Sequence, residues 1–334
     1  MIRLVNLLHE VLIAEGGNVF KGTEYDTDDA SLENIEPTLK KFIVDLGKLF
    51  PNKKSTFSNL PNPDSWLGST GQKAKSGDID LAYSVDNFFD NGKADIIGWG
   101  IDPDKFETLY NTVKKRARTA TDEQVQVTAL LRLIVEKINS SNSEMYASDK
   151  ATSGGTLHFS YPEYAPSGEK LPNRVQLDLD TGNIDWLKFR YNSDVVDDPE
   201  ANVKGLHRGQ LMLALFSAKG YTYKAAQGFI NKDTREVDAS TPQEAIDLLN
   251  NLYGFNIDKS ILGNYKTLSS YIKQNLSNDD YDEVMKIYLT TLDRTGPQAD
   301  IPWDLQDYWI KNQDRLNLKG KFLPDNSKLA KYKK

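Results

Sequence analysis

Residues Gly68–Ser84 read GSTGQKAKSGDIDLAYS: two glycine-rich turns, two lysines, then acidic residues alternating with apolar ones. A strand repeats every two residues, so DIDLAYS predicts a half-buried strand with Asp78 and Asp80 on one face and Ile79 and Leu81 on the other. Ordinary core packing would place Val or Ile at the two acidic positions. Like charges so spaced repel unless something positive stands between them. A second stretch carries the same anomaly. In RVQLDLD, Arg174–Asp180, residues Val175, Leu177 and Leu179 share one face while Asp178 and Asp180 share the other. If the two strands are neighbours, Asp178 comes beside the Asp78 and Asp80 pair.

Three carboxylates without a histidine make an oxygen-only donor set, suited to Mg²⁺ or Mn²⁺ and poorly suited to zinc. Such a set can hold two ions a few ångströms apart, one on an attacking hydroxyl and one on a triphosphate and its leaving oxygen. Phosphoryl chemistry then needs positioning and charge neutralisation more than covalent help. The turn ahead of the strand offers both. Gly68 and Gly71 let backbone N–H groups approach phosphate oxygens, Ser69 adds a hydroxyl, and Lys73 and Lys75 add point charges. Paired acids on one strand are more often a solvent-facing edge than a site; the second acidic strand shifts that balance.

The 334 residues suggest about two domains. With 39% hydrophobic and 27% charged residues, the composition is that of a folded soluble protein. The absence of cysteine excludes a disulfide framework, a thiolate zinc site and a cysteine nucleophile. The three histidines, His9, His158 and His207, are too scattered in sequence to suggest a His-rich metal site. No run approaches about 18 apolar residues, so no membrane span is expected. The stretch LVNLLHEVLIA within Ile2 to Ala14 is broken by His9 and Glu10 and predicts an amphipathic helix rather than a leader. These features predict a cytoplasmic protein. A formal charge of −7 argues against coating nucleic acid by charge alone. The basic runs at Lys114–Arg118 and Lys319–Lys334 read as solvated faces before they read as phosphate grips.

Periodicity predicts helices over Ser31–Leu49 and Pro103–Arg118, and from a Thr121/Gln124 capping box to Ile138. Strands are predicted at Gly155–Tyr161 and Arg174–Asp180. After Pro199 the pattern is helical, over Leu206–Ala218, Thr241–Leu252 (Pro242 at the first position, Glu244 closing a capping box) and Asn278–Leu292. Lys204, His207 and Arg208 in VKGLHRG can share one face near a helix start and grip a triphosphate, or be a solvated helix start. Trp186, Phe189 and Tyr191, alternating with Lys188 and Arg190, fit a groove wall with stacking aromatics, or core packing beside an exposed edge. His158 reads as structural.

GSTGQKAKSGDIDLAYS followed by VQLDL resembles the signature of the nucleotidyltransferase superfamily typified by DNA polymerase β: a Gly-Ser that begins a helix, an Asp-x-Asp strand, and a third carboxylate from a later strand. The matching residues are Gly68 and Ser69, Asp78 and Asp80, and Asp178. Asp180 competes for the third place, but VQLD matches the family's strand pattern. GGNVF, WLKFRY and KGLHR are similar to nucleotidyltransferase-like proteins of tailed bacteriophages. The interval before Asp178 would hold an inserted helical pair, Pro103 to Ile138.

The resemblance implies an α+β fold: a mixed-sheet nucleotidyltransferase core with a helical insertion and a mostly helical C-terminal domain. Residues 1–198 would be a catalytic domain with N-terminal helices, and residues 199–334 an accessory domain closing the cleft. It implies transfer of a nucleoside monophosphate from an NTP, ATP among them, to a hydroxyl on an RNA 3′ end, a protein or a small molecule, with two Mg²⁺ or Mn²⁺ ions. In a phage this would take place in the host cytoplasm. The competing expectation is a nonenzymatic nucleotide or nucleic-acid binding protein, such as a phage assembly component, that keeps the fold. A phosphohydrolase on the same acids fits less well, because of the Gly-Ser turn.

Overall fold

The computed structural model describes residues 18–117, 120–150, 152–194, 197–198, 203–295, 301–316 and 318–320. The expected helix at Ile2 to Ala14, Arg118 of the first basic run and most of the lysine-rich tail lie outside them. The chain forms two compact units, Met1–Leu187 and Lys188–Lys334.

The first unit is built on a four-stranded mixed sheet of β1 (Ile79–Ser84), β2 (Tyr146–Ser148), β3 (Thr156–Tyr164) and β4 (Lys170–Gly182). The spatial order is β1-β4-β3-β2. β1 and β4 run parallel, with Asp80 opposite Asp178 and Ile79 opposite Leu177. β3 is antiparallel to both β4 and β2.

The two-residue period divides this sheet into unlike faces. Ile79, Leu81, Leu177, Leu179, Leu157, Phe159 and Ala147 enter the apolar core. Helix α1 (Leu32–Leu49) brings Ile35, Leu39, Phe42 and Leu46 to that core. The Phe42 ring meets Phe159 edge-on, with centroids 5.0 Å apart. Helices α2 (Pro103–Arg116) and α3 (Asp122–Asn139) follow as a packed pair. Asp102 caps α2 ahead of Pro103, whose missing N–H costs nothing in a first turn. The Thr121/Gln124 capping box starts α3, which buries Leu130, Leu131, Ile134 and Ile138.

The opposite face is polar and equally buried. Thr156, His158, Ser160, Gln176, Asp178 and Asp180 all lie below a tenth exposure. A buried polar row costs stability unless each group is satisfied, so this face is where sequence and packing disagree.

In the second unit, α5 (Gly205–Ala218) packs on α8 (Asn278–Thr295), burying Leu211, Met212 and Leu215 together with Val284, Met285 and Leu289. α4 (Ile184–Tyr191) crosses the division between the units. α6 (Pro242–Tyr253) begins at the Thr241/Glu244 capping box and stops at the left-handed Gly254. α7 (Tyr265–Asn275) and α9 (Trp303–Leu316) complete its helices of eight residues or more among the described residues. The unit also holds an antiparallel sheet of β5 (Tyr221–Lys224), β6 (Gly228–Asn231) and β7 (Val237–Ala239), which the helical pattern after Pro199 did not predict. The chain is thus an α+β protein with mixed and antiparallel sheets and a C-terminal helical stretch.

Candidate metal centre

Parallel pairing of β1 with β4 decides the site. It sets Asp80 and Asp178 side by side, and Asp78 stands one residue ahead of β1 on the same face. Carboxylate oxygens of Asp78, Asp80 and Asp178 lie within 4.8 Å of one another. Two unit charges at that distance repel by about 3.5 kcal/mol at an effective dielectric near 20. Asp180 is not among the three. It faces Ala82 across the parallel pair and accepts a 2.6 Å hydrogen bond from Thr156 Oγ1.

The electrostatics follow from burial and this crowding together. The Asp78 carboxyl is pushed up to about 7, first by burial, then by the charges of Asp178 and Asp180, with His158 pulling the other way. His158 stands against these acids on the neighbouring strand. Desolvation lowers its affinity for a proton, but the hydrogen bond to Asp178 and the charges of Asp178, Asp180 and Asp78 outweigh that, and its pKa is raised. Its Nδ1 lies 2.7 Å from Asp178 Oδ1. Gln176 donates from Nε2 to the other oxygen, Oδ2, at 3.0 Å. Sequence reasoning missed both residues. The signal was present in the alternation LHFSY against VQLDL, but the register that sets His158 opposite Asp178 is a tertiary fact.

No family model, no curated protein and no solved structure matches this chain.

The Gly68 turn approaches the site from the other edge of β1. Trp66 bridges antiparallel to Leu81, and Leu67 N–H donates to the Asp80 carbonyl at 2.9 Å. The Asp80 N–H in turn donates to Thr70 Oγ1 at 2.9 Å. A Cβ placed on Gly68, at φ +58°, would stand 3.1 Å from Asp80 Oδ2, so the turn passes directly over the carboxylate. Gly68 and Ser69 do not begin a helix, contrary to the expectation carried by the resemblance. Hydrogen-bonded turns run through Thr70 and Gln72 instead. The reason is conformational: Gly68 and Gly71 both hold positive φ, which a right-handed helix excludes. Lys73 is half-buried beyond the turn. Lys75 is exposed on the two-residue strand Lys75–Ser76, which pairs with Ala30–Ser31.

The remaining candidates lie in the second unit, apart from Trp186 at the end of the first. His207 and Arg208 are buried at 1% and 4% exposure. His207 Nδ1 meets the Tyr288 hydroxyl at 2.5 Å. The Arg208 guanidinium donates to the carbonyls of Leu262, Phe189 and Arg190, and burial lowers its pKa to about 10. Both side chains thus serve the packing of their own unit, not a solvated helix start. The Lys204 backbone pairs with Asp197 in a two-residue ribbon. WLKFRY is helical within α4, not an alternating groove wall; Trp186 is buried at 1% exposure and Arg190 lies over the Tyr191 ring.

The donor set fits a hard divalent cation. It supplies three carboxylates from two adjacent strands, with the histidine nitrogen hydrogen-bonded to one of them, and a charge deficit that two positive charges would relieve.

Proposed function

We propose that the chain is a metal-dependent nucleotidyltransferase that moves a nucleoside monophosphate from an NTP to an acceptor hydroxyl and releases pyrophosphate. The observation that carries this reading is the convergence of Asp78, Asp80 and Asp178 within 4.8 Å beside a glycine turn that passes over Asp80. Bound Mg²⁺ or Mn²⁺ would supply charge neutralisation at the triphosphate and lower the pKa of the attacking hydroxyl. Asp78 and Asp80 would hold the ions. Asp178 would share in ion binding and take the acceptor's hydroxyl proton as that oxygen bonds to the α-phosphorus and the bond to pyrophosphate breaks. The Gly68–Gly71 turn, with Ser69, Lys73 and Lys75, would take the phosphates. An RNA 3′ end, a protein side chain and a small molecule all present the required hydroxyl. No helix among the described residues is long and apolar enough to cross a membrane, and the proposal needs none.

The competing reading is a nonenzymatic nucleotide-binding protein that keeps the same acids; burial of His207 and Arg208 removes from either reading two cations that a triphosphate would use. A single experiment separates the two. Asp80→Asn keeps size and removes one ligand charge. It is expected to leave metal-free melting unchanged or higher, to reduce stabilisation by Mg²⁺ or Mn²⁺, and to abolish transfer of α-labelled NMP to pooled acceptors. A wild type that binds labelled NTP yet transfers no label to any acceptor class leaves the binding protein as the answer.

A further inference from the structure

The Asp178 carboxylate is held from both sides by buried groups. His158 Nδ1 reaches Oδ1 at 2.7 Å and Gln176 Nε2 donates to Oδ2 at 3.0 Å, with His158 at 3% exposure and Gln176 at 1%. Gln176 is itself fixed, because its Oε1 accepts the Val19 N–H at 2.9 Å. A carboxylate oxygen accepts, so the imidazole fills this role with its proton on Nδ1. Each oxygen of Asp178 keeps a lone pair beyond the one already engaged. We propose that His158, with Gln176 as its counterpart, is a positioning residue that sets the orientation of Asp178 as a metal ligand.

The inference rests on the metal-centre reading above and adds to it the requirement for a second layer of donors. A ligating carboxylate free to rotate would lose affinity for a divalent ion, and partners behind metal ligands are typically worth about 10–100-fold in that affinity. Simple satisfaction of buried polar groups would make the same contacts. It would not make metal affinity depend on a donor at the Nδ1 position.

Thermal unfolding of the full chain, titrated with Mn²⁺ alone, tests this. His158→Leu removes the donor at similar volume and should weaken apparent Mn²⁺ affinity about 10–100-fold. His158→Asn retains an N–H near the Nδ1 position and should stay within about threefold of wild type. Thr156→Val removes an equally buried hydrogen bond on the same strand, to Asp180, and should leave Mn²⁺ affinity unchanged. In label transfer, His158→Leu should recover kcat at saturating Mn²⁺. If His158→Leu does not fold, Gln176→Met takes its place with the same expectation. Wild-type Mn²⁺ affinity in His158→Leu, or equal losses in His158→Asn or Thr156→Val, overturns the assignment while leaving the metal centre standing. A wild type with no Mn²⁺-dependent shift removes the metal centre and this role with it.

Discussion

Replacing Asp78 by Asn should make the metal-free protein more stable at pH 8 and leave its stability unchanged at pH 4. The folded protein holds the Asp78 proton up to about pH 7, whereas the unfolded chain releases it near the ordinary 3.8. Between those values the folded state binds more protons, so the stability of the wild type falls as pH rises, and the loss is complete above pH 7. The displacement is about 3 pH units at 1.36 kcal/mol each, an upper figure of about 4 kcal/mol. Asp78 keeps part of its surface in solvent, and screening brings the expected difference to between about 2 and 4 kcal/mol. Asparagine does not titrate, so subtracting the two proteins' curves removes the titrating groups remote from this site and leaves Asp78 with the neighbours that feel its charge, Asp178, Asp180 and His158. Urea denaturation in EDTA at pH 4, 6 and 8 measures the difference directly. It should grow with pH, and Mn²⁺ at pH 8 should stabilise the wild type while doing far less for the variant. A difference that is flat with pH, or a variant less stable than wild type at pH 8, refutes the argument that burial and the neighbouring carboxylates strain this site.

Two further substitutions test features outside the acid cluster. Gly71→Ala must hold φ +75° with its Cβ 2.5 Å from the Trp66 ring, and denaturant unfolding should show a loss of about 2 kcal/mol or more. Arg208→Met strips donors from three backbone carbonyls and should cost about 3 kcal/mol, with the Mn²⁺-dependent shift in melting temperature retained; loss of that shift would return Arg208 to the functional site.

Local chemistry made some elements legible and left others hidden. Thr121 with Gln124, and Thr241 with Glu244 behind Pro242, mark helix starts through short-range hydrogen bonds that the structure contains. The alternation in DIDLAYS and RVQLDLD marks β1 and β4, because a two-sided strand writes its period into sequence. β2 has three residues, too few to express any period. β5 and β6 have four each, and stand between helical patterns strong enough to obscure them. WLKFRY alternates polar with apolar over a span where helical and strand periods coincide, and packing resolved it as helix. Of the site, the three acids were legible as anomalies, and the pattern of the later strand pointed to Asp178 over Asp180. His158 and Gln176 were not, because their role depends on the register of β3 against β4. In the sequence, Gly68 and Gly71 mark only permissive turn positions. That both adopt positive φ, and so prevent a helix from starting there, is visible only in the backbone.

The parallel pairing of β1 with β4 also sets the order in which this molecule can acquire its charge problem. Asp80 and Asp178 stand roughly a hundred positions apart, and closing a loop of that length must precede the contact. On an emerging chain the first two carboxylates are therefore solvated and well behaved until Gly182 has been made and the second strand docks. The repulsion of Asp178 against that pair then arrives in one step, late, and opposes the closure that creates it. A divalent ion present at that moment would act less as a passenger than as a clasp, slowing the reopening of the strand pair. Chelation would be felt in the unfolding rate sooner than in the rate of folding.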